Sequence, residues 1–279
     1  MIEVKDRVPT YPGRVKLIPV AGQANTYDLV RADEPIEAGT PINRALFQAL
    51  LADIDAIRQQ VDDKLFEISN RARIGDLTVG TIIGLYENGV LVPFIVLHTG
   101  YPNSGRVLVV RKNCIMLDVI RNSGETFYEN CKIDVWLDNE YPPMLDRATQ
   151  GVIAAVPIYV GIYGGQGQIN RKVFLLSLGD YQLSFSGVNA NEGSASVRYF
   201  SSTDRKIATL DGTPVNHWTR SAETYGKAFA YVTANGTAST NEGYSFPAGI
   251  RPAFTLPVDF EVTVGDPSTS NVMATAEVI

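Results

Sequence analysis

The spacing of apolar residues changes at residue 43. Residues 1–42 show no apolar period, and five prolines interrupt any helix there because proline lacks an amide donor. From residue 43 onwards apolar side chains recur at steps of three and four, which predicts an amphipathic helix. We therefore expect an extended segment over 1–42 and a helix over 43–74. The apolar residues of that helix are Phe47, Leu50, Ile54, Ile57, Val61, Leu65 and Ile68.

The helical stripe also contains a seven-residue repeat. Phe47, Ile54, Val61 and Ile68 stand seven apart, which is the spacing of a coiled-coil seam. Because the proline-rich segment before the helix offers no local core, we expect the helix to self-associate. The alternative is a single amphipathic helix that packs on its own domain, and the seam does not specify a number of strands. The predicted contact residues are Phe47, Leu50, Ile54, Ile57, Val61 and Ile68.

Residues 75–279 contain shorter apolar runs, as strands do. Asn88-Gly89 between two such runs predicts a hairpin over 81–98, because both turn residues accept positive φ. Further strands are predicted over 107–111, 114–120 and 172–178. A short helix is predicted over 133–141, where Pro142-Pro143 ends it. Together with the long helix, these elements predict an α+β fold.

Composition narrows the classes of partner. The net charge of −6 argues against nucleic acid, whose phosphates an acidic surface repels. The chain has no apolar run of about 18 residues and no apolar signal core at its start, so we expect neither membrane insertion nor a standard secretion signal. Cys114 and Cys131 are the only cysteines. Two cysteines in a chain this long do not make a disulfide framework, and we expect buried free thiols.

No motif for catalysis or metal binding is present. His98 and His217 are the only histidines and lack metal-ligand spacing. No Gly-x-Ser-x-Gly elbow indicates a serine nucleophile. We therefore expect a protein that is not an enzyme and uses no cofactor or metal. A triad of distant residues and an ion held by oxygen ligands are not excluded by sequence.

The C-terminal third holds the candidate binding residues between two motifs, residues 217–221 and 249–254. Trp218, Arg220 and Arg251 within these motifs are predicted to be structural, since tryptophan buries a large area and arginine pairs with carboxylates or carbonyls. The Tyr and Asn residues around them suit recognition, as they do in antibody paratopes. The alternative is ordinary loop sequence. The predicted ligand-binding residues are Tyr199, Asn216, His217, Thr219, Glu223, Tyr225, Tyr231, Asn235, Asn241 and Tyr244.

Four motifs in fixed order resemble a known module. They are Trp-Leu-Asp-Asn-Glu-Tyr at 136–141, Val-Phe-Leu-Leu-Ser-Leu at 173–178, Trp-Thr-Arg-Ser at 218–221 and Arg-Pro-Ala at 251–253. Together they resemble the C-type-lectin-like module shared by formylglycine-generating enzymes and phage tropism determinants, over roughly residues 78–262. The resemblance implies a mixed α/β domain with long loops. The late cysteine pair of those enzymes and the calcium motifs of lectins are absent, so neither chemistry is implied.

The N-terminal motifs resemble a second group. Residues 6–15, 25–28 and 39–43 are similar to the leader of phage tail structural proteins. In that group the leader attaches to the tail, a helix trimerises the chain and the distal domain meets the host.

The two resemblances together imply a homotrimeric tail-fibre or receptor-binding protein of the virion, assembled in the host cytoplasm. Its segments would be a tail-attachment segment (1–42), a trimerising coiled-coil helix (43–74) and a C-type-lectin-like receptor-binding domain (75–279). Its partners would be tail or baseplate proteins and a bacterial surface receptor, either a glycan, a teichoic polymer or a protein. The alternatives are a baseplate or tail protein without host contact and a polysaccharide-modifying enzyme.

Overall fold

The computed structural model describes residues 8–9, 15–24, 27–31, 35–37, 44–101, 105–121, 125–188, 192–193 and 197–265. The chain divides into two compact units, Met1–Phe66 and Glu67–Ile279. No helix among the described residues is long and apolar enough to cross a membrane.

Strands outnumber helices throughout the described chain. The α-helices are α1 (Arg44–Ser69), α2 (Lys132–Asn139), α3 (Arg147–Val152) and α4 (Thr203–Lys206). The strands are β1 (Val8–Pro9), β2 (Val15–Pro19), β3 (Tyr27–Arg31), β4 (Pro35–Glu37), β5 (Arg71–Arg73), β6 (Ile82–Glu87), β7 (Val90–Tyr101), β8 (Arg106–Arg111), β9 (Leu117–Asp118), β10 (Val156–Ile162), β11 (Gly165–Arg171), β12 (Val173–Phe174), β13 (Ala208–Leu210), β14 (Thr213–Val215), β15 (His217–Ala222), β16 (Phe229–Val232), β17 (Ala238–Asn241), β18 (Ala248–Gly249), β19 (Ala253–Pro257) and β20 (Glu261–Val264).

The predicted α+β class is wrong, because the described chain is a β-rich fold with several sheets. The mixed α/β domain expected over 75–279 is likewise mainly strand, since α2, α3 and α4 have eight, six and four residues. Short apolar runs identified many of the strands. The strands of the C-terminal third are two to six residues long, and with the longer strands before them they make the domain mainly β.

The trimerising coiled coil is also corrected. Helix α1 forms where the stripe predicts it, but the described residues contain no second long helix to pair with it. The side chains of Phe47, Ile54, Ile57 and Val61 are between 48% and 58% exposed. Leu50 is half-buried, and the side chain of Ile68 lies outside the described residues. A period of three and four specifies an apolar stripe but not the partner that covers it.

The first unit contains two strand pairs among its described residues. Strand β2 pairs with β3, and β1 pairs with β4, both antiparallel. Part of the segment predicted to be extended is therefore paired as regular strand.

A seven-stranded sheet forms the larger layer of the second unit. Its order is β12-β19-β8-β7-β6-β20-β5, and all neighbours run antiparallel. The predicted hairpin is confirmed as β6 and β7, joined by Asn88 (φ 51°) and Gly89 (φ 78°). Strand β8 confirms the predicted strand over 107–111. Phe94, Val96 and Leu97 of β7 are fully buried, so the sheet carries core on both faces.

A five-stranded sheet of order β17-β16-β15-β18-β9 forms the second layer. Its central strand β15 pairs antiparallel with β16 and parallel with β18. All six residues of β15 are buried, so both faces of this strand are covered.

Helix α2 confirms the predicted short helix, and Cys131 lies at its N-terminus. The Sγ atom of Cys131 accepts the amide of Asp134 at 3.4 Å and so caps α2. Cys114 and Cys131 are buried and free, as predicted. Burial raises the pKa of Cys114 to about 11 and that of Cys131 to about 12. Both thiols therefore remain protonated at neutral pH.

Candidate functional site

The ten residues predicted to bind a ligand lie in separate environments. His217 and Thr219 are fully buried in β15, so neither side chain reaches the surface. Tyr231 packs between Trp218 and Phe246, with ring centroids 5.7 and 4.9 Å away. These three residues belong to the packing of the five-stranded sheet.

Two of the predicted asparagines are engaged with backbone. The Oδ1 atom of Asn216 accepts the amide of Ala234 at 2.8 Å, and that of Asn241 accepts the amide of Gly243 at 3.0 Å. These bonds shape the loops around β16 and β17.

Tyr199 and Asn235 lie near α4. The guanidinium of Arg205 stands 5.3 Å from the ring of Tyr199. The turn that holds the exposed Asn235 approaches Thr203, whose carbonyl oxygen would lie 2.7 Å from a Cβ added at Gly236. The structure therefore leaves Glu223, Tyr225 and Tyr244 as a separate group.

The residues predicted to be structural are buried and bonded. The indole N–H of Trp218 donates to the carbonyl of Asp118 at 2.8 Å. The Nε of Arg251 donates to the carbonyl of Arg111 at 2.8 Å. Arg220 forms an ion pair with Asp180 at 2.8 Å. The guanidinium of Arg220 also donates to the carbonyls of Tyr159, Leu175 and Glu192. Arg220 thus ties together segments that are distant in sequence, as its predicted structural role requires.

Three exposed tyrosines lie in loops of the second unit that the structure brings near one another. Tyr163 is 75% exposed at the turn between β10 and β11, and Tyr225 is 65% exposed in the loop between β15 and β16. Their rings meet edge to face with centroids 5.6 Å apart. The amide of Gly164 donates to the carbonyl of Thr224 at 2.9 Å, which holds turn and loop together.

Tyr244, the third tyrosine, is connected to the loop of Tyr225 through Arg121. The buried guanidinium of Arg121 donates to the carbonyl of Gly226 at 2.7 Å and to that of Glu242 at 3.2 Å. It also lies 4.9 Å from the centroid of Tyr244, which is 49% exposed. One buried cation thus braces the two loops that carry Tyr225 and Tyr244.

A further segment packs under these loops. Gly226 has φ +70°, and a Cβ there would lie 2.9 Å from Thr126 and 3.1 Å from Phe127. Thr126 is exposed, and Phe127 is half-buried against the core. We call Tyr163, Tyr225, Tyr244, Thr126 and Phe127 the tyrosine surface.

The sequence had indicated only part of the tyrosine surface. Tyr225 and Tyr244 were predicted. Glu223 was predicted too, and its backbone amide donates to the carbonyl of Ala228 at 2.8 Å across the same loop. Tyr163 and the bracing role of Arg121 were missed. Gly164-Gly165 after an apolar run is a hairpin-turn signal that could have marked Tyr163 as a loop tip.

Glu192 and His217 are buried ionisable groups of the second unit. Burial raises the pKa of Glu192 to about 7, although the Ser221 hydroxyl and the Arg220 guanidinium oppose the shift. Burial also lowers the pKa of His217 to about 3, and the charge of Arg251 adds to that effect. Within the described ranges no group of three or more His, Cys, Asp or Glu side chains could hold a metal ion.

Comparison with known protein families identifies a match over more than half of the chain. The family model described as Domain of unknown function (DUF6273) matches residues 104–258. That range contains Arg121 and all five residues of the tyrosine surface. No curated protein and no solved structure matches the chain significantly.

Proposed function

The chain belongs to the DUF6273 family, a domain of unknown function, and we propose that it is a phage tail-fibre or receptor-binding protein. In this proposal the tyrosine surface binds a glycan or protein of the bacterial surface. The N-terminal segment attaches to tail or baseplate proteins, and the assembled protein is part of the virion. The resemblance of residues 6–15, 25–28 and 39–43 to phage tail leaders supports the attachment.

The observation that carries the proposal is the exposure of three tyrosines on braced loops. Clustered exposed aromatic rings typify interaction sites, because their apolar area gains from leaving water. The ring contact of Tyr163 with Tyr225 and the contacts of Arg121 restrict the loops before binding. A surface that is already ordered loses less conformational entropy when it binds.

Self-association into a homotrimer is part of the same proposal. The resemblance of the N-terminal motifs to phage tail structural proteins, which form trimers, supports this self-association. Three linked binding surfaces would raise avidity without any new contact to the receptor. Native mass spectrometry should show the trimer, and a stable monomer at micromolar concentration would contradict it.

An adsorption assay with the full chain tests the receptor proposal. We expect labelled protein to bind host cells, and the double replacement of Tyr163 and Tyr225 by alanine to weaken binding roughly tenfold or more, since aromatic anchors dominate binding energies. Tyr27→Ala is the matched control, because Tyr27 is 54% exposed in the other unit. Adsorption by the double variant at the wild-type level would reject the tyrosine surface as the receptor site.

A further inference from the structure

A cleft of about 330 Å³ lies beside α2. The segment before α2, the exposed side of the helix and residues of β9 and the β18 end contribute to its walls. Its volume falls in the range of small-molecule sites, which begins at roughly 300 Å³. None of the three tyrosines of the tyrosine surface lines this cleft.

The walls of the cleft carry an excess of negative charge. Asp118, Glu125 and Glu140 line it, and Lys132 is the one basic residue among the described lining residues. The Nζ of Lys132 contacts Oδ1 of Asp118 at 2.6 Å, so these two charges compensate each other. Within the described part of the chain, Glu125 and Glu140 have no ion-pair partner. The cleft therefore favours a cation over an anion.

One carboxylate oxygen lacks a hydrogen-bond donor. The Oε2 atom of Glu125 is buried and makes no hydrogen bond to the described residues. Leaving a buried acceptor unsatisfied costs free energy, and most of all when the acceptor is charged. A donor that carries positive charge would remove this cost.

Trp136 supplies an apolar, aromatic wall opposite in character to the acidic residues. Its side chain is half-buried, and its ring stands 5.7 Å from Tyr141, which fixes the indole in place. Ile133 and Val135 add apolar wall. The electron-rich face of an indole attracts an ammonium group and also accepts alkyl carbons.

We propose that this cleft binds a small organic cation, with its ammonium group facing Glu125 and its alkyl part lying against Trp136. No residue of the tyrosine surface lines this cleft, and the proposal does not depend on the receptor role. A fully hydrated inorganic ion would leave the apolar wall of Trp136 unused, whereas an alkylammonium ion uses both walls.

Tryptophan fluorescence of the full chain tests the proposal. The chain has two tryptophans. Trp136 lines the cleft, and the indole N–H of Trp218 donates to the carbonyl of Asp118, which also lines it, so a bound cation should change the emission. Choline chloride is the probe, and 3,3-dimethylbutan-1-ol is its neutral counterpart of nearly equal shape. At equal ionic strength we expect a saturable change with choline at millimolar concentrations and binding of the alcohol weaker by roughly tenfold or more.

Matched variants test whether the carboxylate of Glu125 binds the cation. Glu125→Gln keeps the side-chain shape and should weaken choline binding by roughly tenfold. Glu129→Gln removes an exposed acid of the same segment that does not line the cleft, and should leave choline binding unchanged. Tyr225→Ala should also bind choline normally, which separates this site from the receptor proposal. Equal affinity for choline and the alcohol, no saturable change with choline, or wild-type binding by Glu125→Gln would each overturn the proposal.

Discussion

At the scale of single residues, Glu192 and His217 link stability to pH in opposite directions. The folded protein raises the pKa of Glu192 from 4.5 to about 7, so it holds a proton that the unfolded chain has released. The stability that this provides is complete below pH 4.5 and is lost as the pH rises through 7. The folded protein lowers the pKa of His217 from 6.5 to about 3. The stability from neutral His217 is present above pH 6.5 and is lost as the pH falls towards 3.

Replacing Glu192 should expose the contribution of His217. Between pH 4.5 and 6.5, rising pH lowers stability through Glu192 and raises it through His217, each by roughly 1.4 kcal/mol per pH unit. These two groups together should therefore change the free energy of unfolding of the wild type little in this range. In Glu192→Gln only the histidine effect remains, and stability should rise with pH across that window. Urea denaturation at a series of pH values measures this. Parallel profiles for the wild type and the variant would contradict the role of Glu192, and Glu129→Gln serves as the exposed control.

Sequence reasoning at this scale succeeded where size and charge decide the outcome. Trp218 and Arg220 were predicted as structural residues because a large ring and a planar cation need burial and partners. It could not show that His217 and Thr219 are buried beside them. That outcome depends on β15 lying between β16 and β18 with both faces covered, which residue type does not encode.

At the scale of elements, the turn between β6 and β7 depends on backbone conformation alone. Gly89 has φ 78°, and a Cβ added there would meet nothing within 4 Å. Gly151 in α3 also faces open space, but no positive φ accompanies it. The two glycines therefore differ in backbone conformation and not in available room.

Alanine at these two glycines should shift stability in opposite directions. Gly89→Ala forces a Cβ into the left-handed region and should cost about 1 kcal/mol. Gly151→Ala should stabilise by up to about 1 kcal/mol, because alanine is the better helix former. Thermal unfolding followed by circular dichroism compares the melting temperatures of the two variants. A shift in the same direction for both would refute the conformational explanation.

Local pattern predicted the presence of elements better than their length. The strand expected over 172–178 is reduced to β12 (Val173–Phe174). Beyond it, the amides of Leu175 and Leu178 donate to side-chain oxygens of Tyr128 and Ser221, from other parts of the chain. These donors are satisfied without a neighbouring strand, so a buried apolar run continues as loop.

At the scale of the whole molecule, the second unit contains both large sheets. Strands β5 to β20 all lie within Glu67–Ile279, and so do the buried residues of the main core. The first unit contributes no strand to either sheet among its described residues. The second unit therefore has the hydrophobic core that independent folding requires.

A chain shortened to residues 67–279 should fold without the first unit. We expect one cooperative thermal transition. The near-ultraviolet circular dichroism bands from tryptophan should equal those of the full chain, since both tryptophans lie within residues 67–279. The full chain is the reference for both measurements. A shortened chain with no cooperative transition would show that the first unit is needed for the fold.

The sequence by itself determined the features that residues within a few positions of each other control. The stripe of α1 and the hairpin turn at Asn88-Gly89 are of this kind, because helical period and turn chemistry act locally. The burial of Cys114 and Cys131 also followed from residue type and number.

Only the tertiary structure decided the β-rich class and the composition of the tyrosine surface. Both depend on which distant segments meet: β15 between β16 and β18, Tyr163 against Tyr225, and Arg121 under two separate loops. Such contacts form because buried polar groups and apolar faces must find partners across the fold, and local spacing does not specify which partners they find.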